Sequence, residues 1–257
     1  MVDGTDGARF DGMAVLVVGA STGIGRATAQ RLAREGAVVG VADLDLAAAA
    51  TVADELPGAR HRALLLDVLD GRSVADAVAG FAADAGGLDV LVHVAGGATG
   101  HGSFEETPDA IWQAQLDLNL LGPVRTIREA IPLLRASRRG PAIAVVSSVN
   151  ADLAIGSEPY SAAKAGLAPV VRNLAVELGP AGIRINAVAP GTTRTRVWDA
   201  QGGADRLAPL YPLGRVGEPD DIAAALAFLC SRDAAWITGH VLPVDGGLSV
   251  RRISLAE

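Results

Sequence analysis

Two residues of scarce type stand four positions apart in Tyr160-Ser-Ala-Ala-Lys164. The chain has only two tyrosines, Tyr160 and Tyr211, and of its 22 basic residues Lys164 alone is lysine. Where arginine serves every other basic position, an ordinary surface site would read arginine too. Residues i and i+4 share one face of a helix, so the phenol and the ammonium can enter the same cleft. Tyrosine titrates near pH ~10, and a cation within about 4–6 Å favours the phenolate. Such a pair can exchange a proton with an alcohol or a carbonyl near neutral pH. Lysine also reaches a ribose hydroxyl differently from arginine's flat fork. Upstream, Ser147-Ser148 follows the apolar run Ala142–Val146. Open α/β sheets bind ligands at the carboxyl ends of their strands, where a serine hydroxyl can hold a substrate carbonyl.

A second chemistry lies near the start of the chain. Gly19-Ala-Ser21-Thr22-Gly23-Ile24-Gly25 sits between an apolar run and a helical stretch. Glycines there let the backbone approach a pyrophosphate, and the following helix offers free N–H groups and the positive end of its dipole. Asp43 closes the next apolar run, 18 residues after Gly25. That is close to the offset of about 20 expected for an acid on the adenosine ribose. A carboxylate there repels a 2′-phosphate, and neither Thr22 nor Leu44 supplies a cation. NAD is the expected cofactor, with NADP less favoured.

These residues need elements to hold them. Short apolar runs at 13–18, 37–42, 63–66, 90–94, 142–146, 184–188 and 241–244 read as buried strands. Helical stretches at 26–35, 46–56, 73–85, 108–136 (in two pieces), 158–178 and 220–230 alternate with them. This is the pattern of a doubly wound α/β fold, a parallel sheet with helices on both faces. No linker or repeat divides the chain, so residues 1–257 are expected to form one domain. Ser157 is placed to cap the 158–178 helix with Pro159 in its first turn. Pro169, inside that helix, should kink it.

Composition narrows the function. Half the residues are hydrophobic, a fifth are charged and the formal net charge is −7. That composition fits a globular protein, and the charge argues against a general nucleic-acid binder. The longest apolar runs are too short to span a membrane. Met1–Gly7 is acidic and shows no signal-peptide core, and the single Cys230 forms no internal disulfide. A cytoplasmic protein is expected.

Taken in order, these motifs resemble the short-chain dehydrogenase/reductase family, in its single-domain form of about this length. The resemblance runs from Met13 to Ser249. It rests on Gly19–Gly25, Asp67-Val68, Ala95-Gly96, Asn119, Ser147-Ser148, Tyr160-x-x-x-Lys164, Asn186-Ala-Val-Ala-Pro190-Gly191 and Ile237-Thr-Gly239 with Val244-Asp-Gly-Gly247. It implies a seven-stranded Rossmann-type sheet and a dehydrogenase acting on a secondary alcohol or ketone. Tyr160 would be the acid/base and, with Lys164, part of the cofactor site, where Lys164 would lower the Tyr160 pKa and hold the nicotinamide ribose. Asn119 would join a water-mediated proton relay, and Ser148 would polarise the substrate carbonyl, with Ser147 as the alternate. Asp67 and Val68 would contact adenine, and Thr195 the carboxamide. Ser21, Thr22, Ile24, Ala95, Gly96, Pro190, Gly191 and Thr193 would complete the cofactor site. A homo-tetramer or dimer is implied on the helices near 119–136 and 158–178, and a substrate lid at 192–212.

Departures from the family pattern are specific. Val18 stands where a Thr or Ser is usual. His93-Val94 replaces two asparagines that normally brace the helix carrying Asn119, which puts local rigidity in question. The spacing from Ser148 to Tyr160 is 12 where 13 is usual. His93 and His101 lack a third metal ligand at suitable spacing, so no metal is expected. Arg194 and Arg196 read as loop arginines, with an acidic substrate as the sharper alternative. Trp198 either closes over an apolar substrate or packs the lid on itself. An NADPH-dependent 3-oxoacyl reductase competes with the main reading, and Asp43 opposes it. A non-catalytic dinucleotide sensor or scaffold also competes, and the intact Asn119, Ser148, Tyr160 and Lys164 oppose that.

Overall fold

A computed structural model describes residues 8–100, 102–196, 198 and 202–250. Met1–Gly7 and His101, both weighed in the sequence, lie outside the described residues. The strands are β1 (Ala14–Val18), β2 (Val38–Asp43), β3 (Arg62–Leu65), β4 (Val90–His93), β5 (Ala142–Val146), β6 (Arg184–Pro190) and β7 (Val241–Val244). They form one sheet in the order β3-β2-β1-β4-β5-β6-β7, and every neighbouring pair is parallel.

The apolar runs are strands because both of their faces are buried. In β1, Val15 and Val17 point to one core while Leu16 and Val18 point to the other. This alternation is what a pleated strand imposes. The first core is covered by α1 (Gly23–Arg34), α2 (Leu46–Glu55) and α8 (Pro219–Cys230), through residues such as Leu32, Val52 and Leu226. The second is covered by α3 (Gly71–Ala85), α5 (Gly122–Ala136) and α7 (Leu167–Leu178), through Phe81, Ile127 and Val171. Val18 lies in this second core, 1 % exposed, where the usual hydroxyl residue would need a partner. Among the described residues no helix is long and apolar enough to cross a membrane.

One long helical stretch divides in two as the sequence reading expects, and another is interrupted. The 108–136 stretch splits into α4 (Asp109–Leu116) and α5, joined by a π turn at Asp117–Leu121 that buries Asn119. The 158–178 stretch is interrupted at Gly166, between α6 (Glu158–Ala165) and α7. Gly166 itself stays in the right-handed helical region (φ −59°, ψ −21°), and Pro169, with no N–H, cannot bond the Ala165 carbonyl across the interruption. The predicted cap is corrected too. Ser157 occupies the cap position of α6, but in the left-handed region (φ 60°, ψ 60°), and its hydroxyl makes no cap bond.

Candidate active site

The strand order reverses between β1 and β4, and a ligand crevice belongs at the carboxyl ends of strands flanking such a switch. A cleft of about 700 Å³ opens there. β1 delivers the glycine turn to it. A Cβ on Gly25 would stand 1.9 Å from the Gly19 carbonyl oxygen, so only glycine lets α1 begin so close to the strand. Thr22 sits at the N-cap without a side-chain hydrogen bond, and no acid occupies the first turn. Ser21, Thr22, Gly23 and Ile24 line the cleft, so the unpaired N–H groups of a helix start are available there. This edge fits a diphosphate.

β2 delivers Asp43. Its Oδ2 accepts hydrogen bonds from the Ser21 N–H at 3.0 Å and from Ser21 Oγ at 2.7 Å, and its Oδ1 accepts from the Asp45 N–H at 3.2 Å. The carboxylate thus ties the glycine turn to the neighbouring strand while still lining the cleft. No cation stands beside it at Thr22 or Leu44, and Arg26 of α1 is paired with Glu55 at 2.6 Å.

β4 leads into Ala95 and Gly96, which line the cleft floor. Gly96 has φ 155°, and a Cβ there would meet Asn119 Oδ1 at 2.7 Å and Lys164 Nζ at 3.1 Å. The absence of a side chain therefore lets the π turn and α6 close on the strand end. The bracing that His93-Val94 cannot provide comes from the helix side. Asn119 Oδ1 accepts from the Gly97 N–H at 2.9 Å, and Nδ2 donates to the Gly97 carbonyl at 3.0 Å and to Gln115 Oε1 at 3.0 Å. His93 itself is 1 % exposed and neither ring nitrogen has a hydrogen-bond partner among the described residues. Burial, with the Lys164 charge adding to it and the nearby Ala95 backbone opposing it only weakly, drives its pKa down to about 3.

β5 and α6 bring the serines, Tyr160 and Lys164 together. Ser147 Oγ donates to the Lys164 carbonyl at 3.2 Å, which ties helix to strand. Ser148 Oγ donates to Asn150 Oδ1 at 3.1 Å and accepts from the Asn150 N–H at 3.2 Å, and its hydroxyl pulls the Tyr160 pKa down. Of the two serines, Ser148 is the one that acts on the phenol. Lys164 Nζ donates to the Val146 carbonyl at 2.7 Å and stands 5.8 Å from the centre of the Tyr160 ring. The ammonium is buried, which lowers its pKa to about 8. The lowering of the phenol expected from Lys164 is absent. Burial raises the Tyr160 pKa above its ordinary value and the Ser148 bond opposes that rise, while the ammonium stands over the ring and is bonded to Val146.

β6 ends at Pro190, and Gly191, Thr193 and Thr195 continue along the cleft wall. A Cβ on Gly23 would lie 3.2 Å from Thr195 Cγ2, so this segment crosses over the glycine turn. In the expected lid, positions 197 and 199–201 lie outside the described residues. Tyr211, farther along it, accepts a hydrogen bond from the Thr192 N–H at 2.7 Å.

Three expected site residues do not line the cleft. Asn119 is behind Gly96 and Gly97, its amide consumed by the contacts above. Asp67 and Val68 lie past the end of β3, where Asp67 Oδ1 accepts from the Leu69 N–H at 2.9 Å and Val68 packs under Gly122. The cleft gains residues the motifs did not reveal, among them Asn150, Ile155, Tyr211 and Leu248. The only sequence signal for these was the scarcity of tyrosine. Among the described residues no three histidine, cysteine or carboxylate side chains gather as a metal site.

Residues 19–249 match a protein-family model described as enoyl-(acyl carrier protein) reductase. The chain is 39 % identical to cis-4-hydroxycyclohexanecarboxylate dehydrogenase of Sinomonas cyclohexanicum, over 94 % of this chain and 98 % of that protein. It is 38 % identical to the 3-oxoacyl-[acyl-carrier-protein] reductase FabG of Escherichia coli, over 93 % and 98 %. A 7α-hydroxysteroid dehydrogenase structure, complexed with NADH and 7-oxo glycochenodeoxycholic acid, superposes with a TM-score of 0.87 at 31 % identity, covering 94 % of this chain and 96 % of that one. The chain belongs to the short-chain dehydrogenase/reductase family. It is an oxidoreductase of that family, on a seven-stranded parallel Rossmann-type sheet.

Proposed function

We infer that the protein is an NAD(H)-dependent dehydrogenase of secondary alcohols, or reductase of the corresponding ketones, with Tyr160 as its acid/base. The observation that carries this reading is the meeting of Ser148, Tyr160 and Lys164 in the same cleft as the glycine turn and Asp43. A bound nicotinamide would supply the hydride donor or acceptor. Gly19, Ser21–Gly25, Ala95, Gly96, Pro190, Gly191, Thr193 and Thr195 would hold that dinucleotide. Asp43 takes the adenosine ribose in this reading, and its charge disfavours a 2′-phosphate. That also weighs against a 3-oxoacyl reductase using NADPH.

The chain's own residues would do the rest. Ser148 donates a hydrogen bond to the substrate oxygen and holds it beside the phenol. Tyr160 exchanges the proton of that oxygen. Lys164 keeps a buried positive charge next to the phenol and donates to a ribose hydroxyl. The Asn119 amide is fully engaged with Gly97 and Gln115, so a relay through this residue would use its backbone carbonyl.

Other parts of the reading follow the family. A homo-oligomer on the 119–136 and 158–178 helices suits Val176 of α7, which is 79 % exposed. A cytoplasmic location suits the single cysteine, Cys230, which is buried. Incubating the protein with secondary alcohols and either NAD+ or NADP+ tests the reading. NADH formation faster than NADPH formation is the expected result. A preference for NADP+ would remove the cofactor assignment, and no turnover with either would remove the enzyme reading.

A further inference from the structure

Arg194 and Arg196, two residues apart in the segment after β6, are separated by the fold. Arg194 points into an acidic pair. Its two terminal nitrogens meet both oxygens of Asp205 at 2.6 Å, and Nε meets Glu218 at 2.8 Å. Arg196 lines the cleft and has no ion pair or hydrogen bond among the described residues. It lies between Thr195, which crosses the glycine turn, and Trp198, which lines the same wall.

The charges around the cleft are unevenly placed. Asp43 is its only carboxylate among the described lining residues, and it is held by Ser21 at the end of β2. Strand β2 is three places from β5, which ends at the serines. At about 4.8 Å per strand, that puts the carboxylate roughly 14 Å from the reacting end. Lys164 is the charged lining group at that end, and Arg196 lines the cleft from the segment that runs from Thr195, over the glycine turn, to Trp198, which packs with Leu248 on Ala204, Tyr211 and Val216. Ile155, Trp198 and Leu248 add apolar surface there. The whole chain carries a net charge of −7, a field that repels anions. A guanidinium unpaired among the described residues reverses that field locally at the cleft and presents a planar fork matched to a carboxylate.

We propose that Arg196 binds a substrate carboxylate, so that the substrates are hydroxy acids or keto acids with an apolar body between the acid and the reacting carbon. This rests on the oxidoreductase reading above and deepens it. The test uses levulinate and its longer homologues, each beside its primary carboxamide, reduced with NADH by the wild-type protein, Arg196→Gln and Arg196→Lys. The acids should exceed their carboxamides in kcat/KM by about 10- to 100-fold, the scale of a hydrogen bond to a charged group. Arg196→Gln should bring that ratio close to one through KM, and Arg196→Lys should restore part of it. The NADH Kd, followed by nucleotide fluorescence, should stay within about twofold, well under the tenfold that 1.4 kcal/mol represents. Equal kcat/KM for acids and carboxamides in the wild type overturns the proposal and leaves the oxidoreductase reading intact. A weakened NADH Kd in Arg196→Gln with the acid-to-amide ratio unchanged also overturns it, and assigns the guanidinium to the cofactor's phosphates. Absence of turnover with every ketone overturns the oxidoreductase reading and this proposal with it.

Discussion

The Lys164 ammonium donates to the Val146 carbonyl at 2.7 Å and stands 5.8 Å from the centre of the Tyr160 ring. One buried cation thus joins the end of β5 to the helix that carries Tyr160, the proposed acid/base. It faces the ring of the phenol.

That arrangement predicts the state of Tyr160 in the cofactor-free protein. Burial raises its pKa and the Ser148 bond only opposes the rise, so Tyr160 should remain a phenol at pH values where the alcohol is turned over. With two tyrosines in the chain, phenolate absorbance titrations of wild type, Tyr160→Phe and Tyr211→Phe can be assigned by subtraction. A Tyr160 transition below the ordinary tyrosine value would contradict the geometry.

The two serines should separate by their effects. Ser148→Ala removes the hydroxyl that acts on the phenol and should lower kcat by about 10²-fold, the scale of one lost transition-state donor. Ser147→Ala removes a buried bond to the Lys164 carbonyl and should cost about 1 kcal/mol of stability, with a much smaller effect on kcat. The reverse pattern, read by steady-state kinetics and urea unfolding, would exchange their roles.

Asp43 should govern the choice of cofactor. Asp43→Ser should lower the ratio of kcat/KM for NAD+ over NADP+ by at least about tenfold, equivalent to 1.4 kcal/mol. The same change removes the acceptor for the Ser21 N–H and hydroxyl, so affinity for both nucleotides should fall. An unchanged ratio would show that the carboxylate acts on the turn alone.

His93 should make the fold acid-sensitive. The folded protein holds the imidazole at a pKa of about 3, against 6.5 in the unfolded chain. Between those values the unfolded chain binds more protons, so stability falls as pH falls below 6.5, by up to about 1.4 kcal/mol per pH unit from this group. Stability above pH 6.5 is unaffected by it. Urea unfolding of His93→Asn should show a shallower acid slope than wild type, and identical slopes would contradict the buried neutral ring.

Much of the framework could be read from residue pattern. Strands buried on both faces are continuous apolar runs, and β5 and β7 fall where those runs lie. The glycine turn, Asp43 and Ser148 were legible because each stands in a short motif at a strand end, and Tyr160 and Lys164 because two scarce residue types stand four apart on one helix. What stayed hidden depends on packing. The exact place of the interruption, Gly166, was masked by helical periodicity on both sides. The left-handed Ser157 follows Gly156 and carries no signal of its own. Asn150, Ile155 and Leu248 come to the cleft from separate segments, and no spacing rule links them. The divergence of Arg194 from Arg196 depends on Asp205 and Glu218, residues 11 and 24 positions downstream of Arg194.

In the proposed reaction Tyr160 exchanges the substrate proton, and NADH binding survives the loss of its hydroxyl. The most direct measurement is kcat of Tyr160→Phe with NADH and a ketone substrate, beside its NADH Kd. The account predicts a fall in kcat of about 10²–10⁴-fold, the range of a lost acid/base, with NADH binding retained. A variant that binds NADH and keeps kcat within about twofold of wild type, where an acid/base is worth at least 10², would contradict it.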